Sequence, residues 1–114
     1  MEFSRDGKRL VTGNNGGLVK VWDVAERKEI LTIQAHENKA VFAVTFSPDG
    51  QMVASASDDN TAKLWSATTG ARIQTLKGHT EWVWSVRFLR DGRTILTSSN
   101  DQTVRLWNVA TGKQ

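Results

Sequence analysis

One spacing governs this chain. Phe3-Ser4-Arg5-Asp6-Gly7, Phe46-Ser47-Pro48-Asp49-Gly50 and Phe88-Leu89-Arg90-Asp91-Gly92 follow one another at intervals of 43 and 42 residues. Trp22, Trp65 and Trp107 keep the same step, His36 and His79 stand 43 apart, and the pairs Thr61/Thr103 and Leu64/Leu106 hold the register as well. A fixed period of this length marks a repeat architecture, in which each unit covers its apolar faces only by stacking on its neighbours.

Within one period the chain reads as short strands divided by turn signals, and no helical periodicity is long enough to compete. The middle copy is the clearest. Val41 to Phe46 reads as a strand that stops at Ser47-Pro48-Asp49-Gly50, where Pro48 presets φ for a turn and Gly50 accepts a positive φ. Met52 to Ser57 follows as a second strand, Asp58-Asp59-Asn60 as a tight polar turn, Thr61 to Ser66 as a third strand, and Arg72 to Leu76, after the turn at Thr69-Gly70, as a fourth. The product is a four-stranded antiparallel meander. Asn14-Asn15-Gly16-Gly17 has the glycines of a phosphate loop, but it joins two strands and opens no helix, so it reads as a hairpin turn.

A period of 40 to 45 residues with four strands and a Gly-His to Trp-Asp frame is a propeller-blade signature. Lys77-Gly78-His79-Thr80 through Trp107-Asn108 resembles a WD40 repeat, as does Ala35-His36 through Trp65-Ser66, and the first copy keeps a literal Trp22-Asp23. The resemblance covers nearly the whole chain. It implies an all-β fold of WD40-type β-propeller blades, an incomplete propeller divided into a partial blade at residues 1–36 without its inner strand, a complete blade at 37–79, and a partial blade at 80–114 without its outer strand. The expected strand count is three, four and three, or ten. Closed propellers take about four to eight blades, so a chain of this length is not expected to close alone, and its open ends invite self-association.

Ser55, His36 and Asp59, and again Thr97, His79 and Asp101, have the composition of a hydrolase triad. The resemblance implies a different role: with the strand tryptophan of each copy they form buried hydrogen-bonded tetrads, His36, Ser55, Asp59, Trp65 and His79, Thr97, Asp101, Trp107. A tryptophan buried for its apolar area still has an indole N–H to satisfy, and an imidazole set between a hydroxyl and a carboxylate can pass that requirement on to a backbone turn. A nucleophile would not recur in every copy. Ser57 is an alternative to Ser55 as the hydroxyl of the middle copy. The first copy departs from the pattern, since Gly16 stands where Asp59 and Asp101 stand and no histidine precedes it, leaving Thr12 and Trp22 without those two partners.

In proteins that this chain resembles, contacts with partners concentrate at the start of each inner strand and just before the tetrad aspartate. The positions here are Lys39, Phe42, Asp58, Trp82, Trp84 and Asn100. Trp82 and Trp84 can either face an open rim or pack between blades, because tryptophan is favoured in cores and at binding hot spots alike.

Composition narrows the function. There is no cysteine, which excludes disulfides, zinc-thiolate sites and thiol nucleophiles, and no metal or cofactor site is expected. The net charge of +3 is spread over fifteen basic and twelve acidic residues with no Lys/Arg block, which argues against a nucleic-acid footprint. No run of about eighteen apolar residues and no leader pattern is present, so the expectation is a soluble, cytoplasmic chain that neither spans nor enters a membrane. A protein-protein interaction scaffold, not an enzyme, is the favoured reading. The alternative is a truncated or engineered propeller fragment that assembles with other copies and has no partner of its own.

Overall fold

The computed structural model describes residues 1–114, and every regular element in it is a strand. The first sheet holds β1 (Glu2–Phe3), β2 (Arg9–Gly13), β3 (Leu18–Asp23) and β4 (Lys28–Gln34) in that order. The second holds β5 (Val41–Phe46), β6 (Met52–Ser57), β7 (Ala62–Ser66) and β8 (Arg72–Leu76). The third holds β9 (Val83–Phe88), β10 (Thr94–Ser99) and β11 (Val104–Asn108). All pairings are antiparallel between sequence neighbours. There are thus eleven strands and not ten: Glu2 and Phe3 pair with Val11 and Leu10, so the first blade keeps a two-residue stub of its inner strand. Two residues carry no readable pattern, and only their partner strand makes them β. The third strand of the middle sheet starts at Ala62, one residue later than its sequence suggests.

The hairpin turns form as their residues dictate. Gly50 has φ of 73°, and the turn is closed by Gly50 N donating to the Ser47 carbonyl at 2.9 Å and by the Ser47 hydroxyl, which donates to Asp49 at 2.6 Å and accepts from Met52 N at 2.9 Å. The Asn14 to Gly17 segment is a hairpin turn joining β2 to β3, with Asn14 Oδ1 accepting from Gly16 N and Leu18 N.

The three sheets stack face to face, and the core lies between them. Val11, Val19, Val21 and Ile33 of the first sheet pack on Val41, Val44, Phe46, Val53 and Trp65 of the second. The second sheet's other face, with Ala54, Ala56, Ala62, Leu64 and Leu76, packs on Val83, Val86, Ile95 and Trp107 of the third. Burying one Val or Leu side chain contributes about 1.5–3 kcal/mol, so these two seams supply the main cohesion of the stack. The middle sheet is covered on both faces, and β6 meets that with small residues: Val53, Ala54, Ser55, Ala56 and Ser57 are all buried. Arg9 spans the first seam, donating to the Gly50 carbonyl at 2.7 Å with its guanidinium 4.9 Å from the centre of the Phe46 ring.

Candidate interaction rim and the tetrads behind it

Both predicted tetrads are drawn together by the fold. In the middle blade the Trp65 indole N–H donates to Ser55 Oγ at 3.1 Å, Ser55 lies 2.7 Å from His36 Nε2, and His36 Nδ1 lies 2.7 Å from Asp59 Oδ2. The third blade repeats this with Trp107 to Thr97 at 2.8 Å, Thr97 to His79 Nε2 at 2.7 Å, and His79 Nδ1 to Asp101 at 2.8 Å. The proton directions start from the ends. An ionised carboxylate can only accept, so the imidazole Nδ1 carries a proton and donates; in the neutral imidazole that leaves Nε2 to accept the proton of the hydroxyl, which itself accepts from the indole.

Each aspartate also ties down its turn. Asp59 Oδ1 accepts from Thr61 N at 2.9 Å and Thr61 Oγ1 at 2.6 Å. Burial works against ionisation of Asp59, but the hydrogen bonds from His36 and Thr61 outweigh it and hold its pKa down to about 2. Asp101 is lowered in the same sense, with burial opposed by bonds from Thr103 and His79. Ser55 is the hydroxyl of the middle network. Ser57 is used elsewhere, donating to the Ala40 carbonyl at 2.8 Å. In the first blade Trp22 donates to Thr12 at 3.0 Å and the chain of bonds stops there. No buried side-chain nitrogen or oxygen lacks a partner, so the hydroxyls and imidazoles are spent on one another.

A test of this network is Thr97→Val, which keeps the shape and removes the hydroxyl. It leaves the Trp107 indole N–H and His79 Nε2 buried without partners, and is expected to cost about 1–3 kcal/mol in urea unfolding. Thr12→Val, in the blade with only one such bond and a half-buried tryptophan, is expected to cost less. Equal losses would contradict the tetrad as a stabilising unit.

The six rim positions are all exposed, and they gather at one end of the inner strands. Loops and turns are laced together there: the Ala40 carbonyl accepts from Asp58 N at 3.0 Å, and the Trp82 carbonyl accepts from Asn100 N at 3.0 Å and Ser99 Oγ at 2.9 Å. These bonds set Lys39 and Phe42 beside Asp58, and Trp82 and Trp84 beside Asn100. Sequence reasoning missed Glu81, whose carboxylate accepts from Asn100 Nδ2 at 2.6 Å, and the tying role of Ser57 and Ser99, whose shared register was the available signal.

The aromatics reach solvent because of the strand register. Val41 pairs with Ser57 and Ala43 with Ala56, so Phe42 is an extra, unpaired residue; Val83 pairs with Ser99 and Ser85 with Ser98, so Trp84 is another. A β-bulge of this kind re-aims a side chain that strict alternation would direct elsewhere. Phe42, Trp82 and Trp84 are 46%, 37% and 50% exposed, and none belongs to the two buried clusters between blades. Phe42 and Trp82, from neighbouring blades, meet with ring centres 5.0 Å apart at an angle of 56°, the tilted geometry that aromatic pairs prefer.

Stacked antiparallel blades, two of the three locked by a tryptophan-anchored tetrad, define a protein built of propeller repeats. Residues 1–23, 27–66 and 70–108 match the family model described as WD domain, G-beta repeat. The chain belongs to the WD-repeat family. It is similar to WD repeat and SOCS box-containing protein 1 of Homo sapiens, 39% identical over 85 residues that make up 73% of this chain and 20% of that protein. It is similar also to nuclear distribution protein PAC1 of Arthroderma benhamiae, 39% identical over 88 residues, or 69% of this chain and 19% of that protein. Protein tipD of Dictyostelium discoideum is 35% identical over 79 residues, 69% of this chain and 13% of that protein. The chain therefore spans about a fifth or less of the length of these relatives.

Proposed function

We propose that this chain is a protein-interaction scaffold, without catalytic activity of its own, that works in the cytoplasm and takes a peptide or a protein domain on the rim formed by Lys39, Phe42, Asp58, Trp82, Trp84 and Asn100. The observation that carries the reading is the aromatic cluster at the bulges. Two of its three rings occupy positions that the fold holds out of the core, and they stand beside backbone-tied Asp58 and Asn100, which offer hydrogen bonds. Aromatic residues set among polar groups supply most of the energy at protein interfaces.

The test is a peptide-display selection on the 114-residue chain, followed by titration of the recovered peptides against variants. Trp84→Ala and Trp82→Ala are each expected to weaken binding by about thirtyfold, the equivalent of about 2 kcal/mol for a hot-spot residue, with little change in Tm. Lys113→Ala, outside the rim, should change neither. Tryptophan variants that unfold while retaining peptide binding would place these residues in the structural frame and end the proposal.

A further inference from the structure

The opposite end of the blades carries a second surface, made from parts that lie far apart in the chain. Arg5, Pro48 and Arg90 occupy the same place in the three successive turns Ser4-to-Gly7, Ser47-to-Gly50 and Leu89-to-Gly92. Stacking the blades brings them side by side. A cleft of about 630 Å³ is lined by Arg5, Pro48, Phe88, Leu89 and Arg90, and this volume falls within the 300–1,000 Å³ common for ligand clefts. Adjoining depressions that share Arg5 and Pro48 extend it to Arg87 on one side and Arg93 on the other.

The four arginines are exposed, and none forms an ion pair; the ion pair of the structure is Lys20 with Glu29, and the two histidine–aspartate contacts are hydrogen bonds. Their guanidinium groups make no hydrogen bond within the chain, unlike that of Arg9. Asp49 and Asp91 border the same surface and are engaged with their own turns, Asp49 Oδ1 accepting from Ser47 and Gln51, and Asp91 accepting from Arg93 and Thr94. Four unpaired guanidinium forks around an apolar floor form a receptor for planar anionic groups presented next to apolar side chains.

We propose that this arginine-walled cleft binds an extended acidic peptide, its carboxylate or phosphate groups held by Arg5 and Arg90 and its apolar side chains seated on Pro48 and Phe88. Two features favour a peptide over a nucleic acid. The floor is proline and phenylalanine, and the interspersed Asp49 and Asp91 repel a continuous run of phosphates while tolerating charges spaced along a peptide. The surface lies at the turn ends of the blades and not on the stacked faces, so blade packing leaves it open. It is separate from the aromatic rim, and each can fail without the other.

The experiment is fluorescence anisotropy on the 114-residue chain with three labelled probes: a short peptide alternating glutamate and leucine, its phosphoserine-for-glutamate counterpart, and single-stranded oligothymidine. Both peptides are expected to bind more tightly than oligothymidine, with affinity falling as salt rises. A preference for the phosphorylated probe would identify phosphate as the natural anion, and equal affinity would identify carboxylate. The double charge reversal Arg5→Glu with Arg90→Glu should weaken the better peptide by about tenfold or more, while Arg90→Lys, which keeps the charge and loses the fork, should give an intermediate loss. Trp84→Ala and Lys113→Glu should leave the affinity unchanged. The proposal is overturned if the charge reversal, still folded by its melting curve, binds as wild type does. Failure of both peptides to bind, or tighter binding of oligothymidine, overturns it as well.

Discussion

Gly17→Ala is expected to be the most damaging single substitution in the chain, with a loss of about 3 kcal/mol or more in chemical denaturation. The cause is not the backbone angle alone. Gly17 has φ of 89°, but Asn60 and Gln102 hold the same place in the second and third blades with φ of 71° and 70°, so ordinary residues tolerate this turn at a cost of about 1–2 kcal/mol. What differs is the neighbour. A Cβ on Gly17 would lie 1.8 Å from the carbonyl oxygen of His36 and 2.6 Å from its carbonyl carbon, backbone atoms that cannot swing aside. The same residue accepts hydrogen bonds from Ala35 N and His36 N, both at 3.0 Å, so displacing it would loosen the segment that carries the tetrad histidine. Gly17→Asn should therefore be nearly as harmful, although asparagine serves in the next blade. Gly16→Ala, where only Asn14 Oδ1 comes near at 3.5 Å, should be close to neutral. If Gly17→Asn melts with wild type, the contact with His36 does not hold the seam.

The 114-residue chain is expected to self-associate at micromolar concentration. Ala62 and Leu64 are fully buried against the third sheet, and Val19 and Val21 against the second; the corresponding Val104 and Leu106 are 64% and 53% exposed. An apolar blade face of this kind, beside a β11 edge paired on one side only, is a template for another chain. Analytical ultracentrifugation should report a dimer or larger species. Val104→Glu with Leu106→Glu should shift it to monomer, since burying two such side chains contributes about 3 kcal/mol or more, over a hundredfold in affinity. A wild-type chain that stays monomeric throughout would refute this. In a polypeptide with further repeats, the same face is where the next blade would pack.

The middle blade was the most legible part of the sequence, because period-2 alternation and turn residues act over a few neighbours. Val41–Phe46, Met52–Ser57 and Arg72–Leu76 form as read. The choice between Ser55 and Ser57 was not legible, since residues two apart on a strand share a face, and only the distance to Trp65 and His36 separates them. The bulges were hidden for a similar reason: no glycine or proline marks Phe42 or Trp84, and the mismatch exists only once β6 and β10 are alongside. The arginine cleft was the least visible. Arg5, Arg87, Arg90 and Arg93 form no run in sequence, and an even scatter of charge became a concentrated one only when three equivalent turns were stacked.

The bulges at Phe42 and Trp84 have a further consequence for how such a surface can change over time. A side chain outside both the strand ladder and the buried clusters between blades is screened mainly by what it meets in solution, so replacing it alters specificity with a smaller penalty in folding than a change in the core. The second and third blades each offer one such position at the same place on the rim. Recognition can then diversify one residue at a time on an unaltered frame, and copying a blade adds a reading position together with the hydrogen-bonded tetrad that holds it in place.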